Sequence, residues 1–123
     1  MEQFNNKNDK NFSTKSLDEI PLTKTNHKVG QKYVLYSNIQ LDNKLTQVAV
    51  SFLEPDMVIE NHSHPTMDEY FFILDGEVEF TIEGNTCVLG TNMIIEIKSS
   101  SKHSLQNRNQ STAKFLYWGV AKK

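Results

Sequence analysis

The chain has 123 residues, which is enough for one domain with a single hydrophobic core. Its formal net charge is −2 and Arg108 is its only arginine, so it lacks the clustered, bidentate cations that bind nucleic acids. No apolar run approaches the roughly 18 residues that span a bilayer, and the N-terminus has no signal-peptide character. The lone Cys87 agrees with a reducing compartment and is expected to be a buried strand residue. We therefore expect a cytoplasmic protein that binds neither nucleic acids nor membranes.

The first part of the chain differs in composition from the rest. Residues 1–26 are rich in Asn, Lys, Ser and Thr, and their apolar residues are isolated. Such a segment buries little surface, so we expect a polar N-terminal arm that is either mobile or ordered on the sheet of a partner subunit. The folded domain is expected at 27–123. His27 lies in polar surroundings at its start and is expected to be an exposed loop residue.

From Gln31 onward the chain alternates apolar and polar residues with the period of a strand. Turn residues around Gly76, Gly84 and Gly90 separate the alternating runs. The predicted strands are 33–36, 45–53, 57–64, 69–74, 77–82, 86–89, 93–97, one that begins at 103, and 115–120. Short, evenly spaced strands without a helical period predict an all-β sandwich or barrel.

The strand at 45–53 has two chemically different faces. Val48, Val50 and Phe52 form an apolar face that is expected to pack against the core. The opposite face carries the small and polar residues between them, including Gln47 and Ser51. That face is either solvated or lines a pocket that needs space and hydrogen bonds.

Residue types that bind metals occur in a particular order in the middle of the chain. His62 and His64 are two positions apart, so in an extended strand both imidazoles point to the same face. Pro65 interrupts strand pairing and permits a turn, after which Glu69 opens a strand that can return beside the first. His103 begins a later strand and is expected to complete the set. A His-x-His pair alone is also typical of a solvated strand, but the order of all four residues favours a metal site.

With these residues the chain resembles a small single-domain cupin over about residues 31–120. The resemblance implies a double-stranded β-helix, or jelly-roll, barrel. The first cupin motif has a Gly, a His-x-His pair, a Glu and a second Gly. The matching residues here, with the spacing intact, are His62, His64, Glu69 and Gly76. Asp56 stands where the motif has its first Gly.

The second cupin motif is matched less closely. Gly90, His103 and Asn107 match it, but the spacer before the histidine is two residues longer than in the motif. Lys98 and Ser100 replace a Pro and a Gly of the motif. Because these residues shape turns and are not ligands, the departures leave the metal site intact. They imply a longer and more flexible rim before His103.

The resemblance implies that one divalent metal is held inside the barrel. Its ligands would be His62, His64, Glu69 and His103. Three neutral imidazoles and one carboxylate suit Fe, Mn, Ni, Co or Zn, and affinity order alone does not choose among them. In an octahedral site, four protein ligands leave two positions open for water, substrate or oxygen. Small cupins resembling this one are commonly homodimers, so we expect a homodimer.

The cupin barrel hosts many activities, so the reaction must be argued from the site. We expect a metal-dependent enzyme acting on a small polar metabolite, of isomerase, cyclase or lyase type, with oxygen-dependent dioxygenase chemistry close behind. The alternative is a non-catalytic module that binds or senses a sugar or a hydroxy acid. Glu69 and Tyr117 are the candidate catalytic residues, whereas Tyr70 lies on the opposite face from Glu69 and is expected to be structural. The candidate substrate pocket comprises Gln47, Ser51, Phe71, Ile73 and Trp118.

Overall fold

The computed structural model describes residues 11–24, 31–37 and 43–122. Within these ranges the chain forms one short 3₁₀ turn, at Leu17–Glu19, and is otherwise built from strands and loops. The strands are β1 Leu22–Lys24, β2 Gln31–Ser37, β3 Leu45–Leu53, β4 Val58–His62, β5 Met67–Asp75, β6 Val78–Ile82, β7 Asn85–Leu89, β8 Ile94–Ile97, β9 His103–Gln106 and β10 Ala113–Ala121. The prediction of an all-β fold is confirmed. No helix in the described ranges is long and apolar enough to cross a membrane.

The strands form two antiparallel sheets that face each other. The larger sheet has the order β1-β2-β3-β10-β5-β8, and the smaller has the order β4-β9-β6-β7. The inward side chains of both sheets pack into one hydrophobic core, as expected when two amphipathic sheets bury their apolar faces together. The core residues are Leu53, Ile59, Phe71, Ile73, Val78, Phe80, Leu89, Ile97, Leu105, Ala113 and Phe115.

The inward face of β3 is the one with small and polar residues. Ala49 and Ser51 are opposite Tyr117 and Phe115 of β10, inside the barrel, and both are almost fully buried. The prediction that the apolar face of β3 packs against the core is therefore wrong. Phe52 lies on the outer surface of the larger sheet, where its ring contacts Tyr33 edge-on.

Part of the segment expected to be an arm lies on the larger sheet of the same chain. Strand β1 pairs with β2, and Leu17 and Ile20 lie beside Phe52 on the outer surface. The hydroxyls of Ser13 and Tyr36 are 2.9 Å apart. These residues cover the apolar outer surface of β3, which explains why that surface is rich in valine and phenylalanine. Residues 1–10 and His27 lie outside the described residues.

Strand β7 is the edge strand of the smaller sheet, and its exposure corrects one expectation. Four of its five residues are exposed, including Cys87, which was expected to be buried. An edge strand has a neighbour on one side only, so its side chains are less covered than those of a central strand.

Candidate metal centre

The two sheets bring the four candidate ligands to one end of the barrel. His62 ends β4 and His103 begins β9, and the two residues are directly opposite each other in the antiparallel pair. The strand expected to carry both histidines ends at His62, and His64 lies just after it, directly before the turn at Pro65. Glu69 lies on β5 of the larger sheet and points inward, because Phe71 and Ile73, which share its face, are core residues. The sequence order predicted this convergence.

The geometry of the four side chains fits a single metal ion. One ligand atom from each of His62, His64, Glu69 and His103 can be chosen so that all four lie within 4.8 Å of one another. Donors at about 2.1 Å from a metal are about 3 Å apart when adjacent and about 4.2 Å apart when opposite. The Oε1 atom of Glu69 is 3.3 Å from Nε2 of His64 and 3.1 Å from Nε2 of His103. The donor set and its spacing therefore suit one divalent transition metal.

Backbone carbonyls orient two of the three imidazoles. Nδ1 of His62 is 2.8 Å from the carbonyl oxygen of Glu60, and Nδ1 of His103 is 2.9 Å from that of Ser101. A carbonyl can only accept, so each Nδ1 carries the hydrogen and Nε2 is the metal-binding atom. Such hydrogen bonds fix the tautomer and the ring orientation of metal ligands.

The loop before His103 is tied to the rest of the site. The backbone N–H of Ser100 donates to the carbonyl of His64 at 2.9 Å, and that of Ser99 donates to the carboxylate of Asp68 at 2.8 Å. Ser100 has a φ of 66° and Asp56 has a φ of 67°. At these two positions the cupin motifs have Gly and this chain does not, and here the non-glycine residues adopt the left-handed conformation that glycine favours. The turns are therefore retained without the glycines.

His103 and Glu69 are electrostatically coupled. Burial lowers the pKa of the His103 imidazole, but hydrogen bonds to Glu69 and Ser101 and the charge of Glu69 outweigh it, so the pKa is above its ordinary value. A metal ion must displace the proton that this raised pKa favours, because only the neutral imidazole binds metal.

A small cavity lies between the sheets, directly below the ligand cluster. Its volume is about 40 Å³, room for a few water molecules. The lining residues are Ser51, Ile59, His62, Glu69, Phe71, Leu105, Phe115 and Tyr117. Two of the expected pocket residues, Ser51 and Phe71, and the candidate catalytic residue Tyr117 thus lie beside two of the candidate ligands. The cavity is mostly apolar, with its polar groups at the ligand end and on one wall.

Tyr117 is the titratable group in the wall of this cavity. Burial, together with the negative charge of Glu69, raises the pKa of its phenol far above the ordinary value. The hydroxyl is therefore neutral at physiological pH, and it can donate a hydrogen bond but cannot serve as a base. Its ring stacks on Phe71 with a centroid distance of 5.4 Å, which fixes its direction.

The other predicted pocket residues lie outside the cavity lining. Gln47 is hydrogen-bonded to Tyr117 at the edge of the wall. Ile73 is fully buried in the core. Trp118 lies on the outer surface of the larger sheet, stacked on Tyr70 at 5.5 Å, because its neighbour Tyr117 points inward. Tyr70 faces away from Glu69, as predicted, and its hydroxyl donates to Glu96.

Sequence reasoning missed three apolar lining residues. Ile59 and Leu105 are paired across β4 and β9, and Phe115 lies on β10. Leu105 could have been found, because it is two residues after His103 on the same strand and so shares its face. Ile59 could not, because the register between β4 and β9 shifts between Ile59 and His62.

An all-β barrel with three histidines and a glutamate at one end defines a class of candidate metalloproteins. The family model described as "Cupin domain" matches residues 49–119, more than half of the chain, and includes all four candidate ligands. The protein belongs to the cupin family, and the expected jelly-roll architecture is confirmed. No curated protein matches the chain in a sequence comparison.

Solved structures share the fold at low sequence identity. A protein from Thermotoga maritima, described as a predicted oxalate decarboxylase, has a TM-score of 0.82 and 23% identity, covering 89% of this chain and all of its own. The polyketide cyclase RemF from Streptomyces resistomycificus has a TM-score of 0.78 and 14% identity, with 90% of this chain and 80% of RemF covered. The cupin domain of an XRE family transcriptional regulator from Enterobacter cloacae has a TM-score of 0.65 and 16% identity, with 75% of this chain and 96% of that domain covered. Identities this low establish the fold alone.

Proposed function

We propose that this protein is a mononuclear metalloenzyme that acts on a small polar metabolite, with isomerase, cyclase or lyase chemistry. The observation that carries the proposal is the convergence of His62, His64, Glu69 and His103 within 4.8 Å, directly above a cavity. Glu69 and His103 are buried and hydrogen-bonded to each other, so two of the four metal-binding groups are held away from bulk water.

The four ligands would hold one divalent ion of Fe, Mn, Ni, Co or Zn. When bound, such an ion supplies Lewis-acid stabilisation for negative charge that develops on a substrate oxygen. The neutral hydroxyl of Tyr117 faces the same cavity and would orient that oxygen by donating a hydrogen bond. The hydroxyl of Ser51, which also lines the cavity, donates its hydrogen to the carbonyl of Gln31, so it can only accept from a ligand. The apolar wall around Phe71 excludes bulk water, which strengthens these interactions.

Glu69 has two roles open to it. It can remain a ligand, or it can act as a general base that accepts a proton from a substrate carbon or hydroxyl near the metal. Tyr117 would act as a hydrogen-bond donor, since its raised pKa excludes the role of base at neutral pH. The names of two structural neighbours, a predicted oxalate decarboxylase and a polyketide cyclase, support chemistry at a carboxylate or carbonyl group.

The first test is elemental analysis of the purified protein beside the His64→Ala variant. We expect about one equivalent of metal in the wild type and a sharp loss in the variant, with the circular dichroism spectrum unchanged. Ser63→Ala is a matched control, because Ser63 is exposed and adjacent but is not in the ligand cluster. Equal metal content in all three proteins would exclude this site.

Oxygen consumption separates the two kinds of chemistry that this metal site permits. Anaerobic protein is loaded with Fe(II), mixed with a panel of small acids and polyols, and exposed to oxygen. Conversion of a keto or hydroxy compound without oxygen uptake would support the proposed isomerase, cyclase or lyase. Oxygen uptake that depends on an added compound would instead assign the protein as a dioxygenase.

A second candidate function is a non-catalytic module that binds or senses a sugar or a hydroxy acid. The small cavity favours it, since about 40 Å³ leaves little room for a substrate to rearrange. One structural neighbour is the cupin domain of a transcriptional regulator. A ligand that binds the metal-loaded protein with micromolar affinity but is recovered unchanged after prolonged incubation would favour this function.

We also propose that the protein is a homodimer. Leu74 and Ile94 on the outer surface of the larger sheet are exposed, at 37% and 54%. Exposed apolar patches of this kind often mark protein interfaces. Light scattering coupled to size-exclusion chromatography measures the mass directly, and a mass equal to 14.1 kDa would refute the dimer.

A further inference from the structure

Lys32 is a partly buried lysine next to the cavity wall. It lies on β2 directly opposite Ser51 of β3, which lines the cavity, so its side chain starts on the inward side of the larger sheet. Its ammonium donates a hydrogen bond of 2.9 Å to the side-chain carbonyl of Gln47. Within the described residues, no carboxylate lies within ion-pair distance of this ammonium; the four such pairs involve other side chains.

The bond between Lys32 and Gln47 crosses over Ala49. Lys32 is opposite Ser51, and Gln47 lies four residues earlier on β3, so the two side chains must extend toward each other past Ala49. Ala49 is fully buried and is itself opposite Tyr117 of β10. The hydrogen-bond partner of the ammonium, Gln47, therefore lies on β3, the strand directly beside the one that carries Tyr117.

The same hydrogen bonds decide how the polar groups of the wall point. The carbonyl oxygen of Gln47 accepts from Lys32, so the amide N–H of Gln47 is the group that donates to the oxygen of Tyr117. The hydroxyl hydrogen of Tyr117 is then available to donate toward the cavity. Of the three groups only the Tyr117 hydroxyl lines the cavity and presents a donor hydrogen to its occupant, and the charge of Lys32 acts on the cavity from behind that hydroxyl, through the hydrogen-bonded chain.

We propose that Lys32 is a specificity-determining residue that makes the cavity select a small organic anion, a short carboxylic acid, over neutral molecules of the same shape. This inference rests on the proposed metal site and names its substrate class. Three neutral imidazoles and one carboxylate around a divalent ion leave a net positive charge, and Lys32 adds a second positive charge at the wall. Partial burial lowers the pKa of Lys32, which is the sign of a desolvation cost that a bound anion would offset.

The test uses the Co(II)-loaded protein, because the visible absorption of Co(II) reports changes at the metal. Glycolate and its neutral isostere glycolamide are titrated separately into the wild type, Lys32→Met and Lys32→Gln. A metal prefers a carboxylate to an amide even without Lys32. The readout is therefore the ratio of glycolate affinity to glycolamide affinity, measured for each variant and compared with the same ratio in the wild type. Lys114→Met is the matched control: Lys114 is also a lysine of the larger sheet, but its ammonium lies over Phe52 on the outer surface.

We expect both Lys32 variants to lose roughly tenfold in glycolate affinity while glycolamide affinity changes little, because the lost positive charge attracts the anion and not its neutral isostere. Lys114→Met should retain the wild-type ratio. An unchanged ratio in both Lys32 variants, with Co(II) bound stoichiometrically, would overturn this inference and leave the metal site standing. Failure of the wild type to bind Co(II) would refute the proposed function and this inference together. Lys32→Gln guards against a folding defect in Lys32→Met, and thermal melts of all variants check it.

Discussion

Asn107 provides a quantitative test of how the barrel is held closed. It follows β9 of the smaller sheet, is fully buried, and its amide donates to the carbonyls of Leu53, at 2.8 Å, and Ser111, at 2.9 Å. Its side-chain oxygen accepts from the backbone N–H of Asn109 at 2.8 Å. Since Leu53 ends β3 of the larger sheet, this single side chain connects the two sheets at the end of β9 away from His103.

Asn107→Ala removes all three hydrogen bonds. The carbonyls of Leu53 and Ser111 lose their donor, and the backbone N–H of Asn109 loses its acceptor. At about 1 kcal/mol for each bond, the free energy of unfolding should fall by about 3 kcal/mol, and by more if the partners stay unsatisfied. That is a large share of the roughly 5–15 kcal/mol available to a domain of this kind. With a urea m-value of about 2 kcal/mol/M, the midpoint should fall by roughly 1.5 M.

The assay is urea unfolding followed by circular dichroism, with EDTA present so that metal binding does not add to stability. Asn109→Ala is the control, because its side chain is exposed and its backbone N–H is retained, and it should change stability by less than about 0.5 kcal/mol. The folded Asn107→Ala protein should still bind its full complement of metal, since the ligands lie at the other end of β9. A loss below about 1 kcal/mol with an unchanged m-value would refute the reasoning.

Three further predictions concern the ligand end of the barrel. Glu69→Gln should lower metal affinity at least tenfold and retain the fold, as measured by competition with a chelator and by circular dichroism. Because the pKa of His103 is raised, protons compete with metal for its imidazole up to a higher pH than usual. Metal affinity should therefore increase as the pH rises through that pKa and level off above it. Zn(II) titrations between about pH 6 and about pH 8.5 measure this change. Gly119→Ala should destabilise the protein by about 1–3 kcal/mol in urea unfolding, because a Cβ there would clash with Oγ1 of Thr46 and with Sδ of Met67, which are hydrogen-bonded to each other.

The candidate ligands could be predicted because their signal is local. Two histidines at a spacing of two are expected to share a face of a strand, and a turn at Pro65 permits the next strand to return beside them. The strand ends at His62, yet His64 still reaches the same cluster from the connection that follows. His103 required more, since nothing in its own neighbourhood shows that β9 pairs with β4. Resemblance to the cupin motifs supplied that long-range pairing, and the structure places His103 opposite His62.

The turns show why departures from a motif need not alter a site. Asp56 and Ser100 replace glycines, yet both adopt a positive φ close to 65°, as glycine would. A side chain in that conformation costs about 1 kcal/mol, which neighbouring hydrogen bonds can offset. Ser100 gains one such bond to the carbonyl of His64, and the backbone N–H of Asp56 donates to the carbonyl of Asn107. The sequence shows the substitution but not this compensation.

The walls of the cavity were harder to predict, because alternation of side chains shows that a strand has two faces but not which face points inward. On β10, Phe115, Tyr117 and Gly119 alternate with Leu116 and Trp118, and both faces are apolar, so hydrophobicity alone cannot tell which one is inside. Pairing decides it: Gly119 is opposite Glu69, whose face is fixed by the ligand cluster, so the face of Tyr117 must be the inward one.

The same ambiguity on β3 hid the role of Lys32. Once the outer surface of β3 is covered by Leu17 and Ile20, its apolar residues need no core, and the small residues are free to line the cavity. The contact between Lys32 and Gln47 then depends on the pairing of β2 with β3, whose register shifts between Val34 and Tyr36. Without this bulge the pairing would shift by one residue, and Lys32 would point to the outer surface. The inward position of the charge that we propose selects the ligand therefore depends on a bulge that no local sequence pattern predicts.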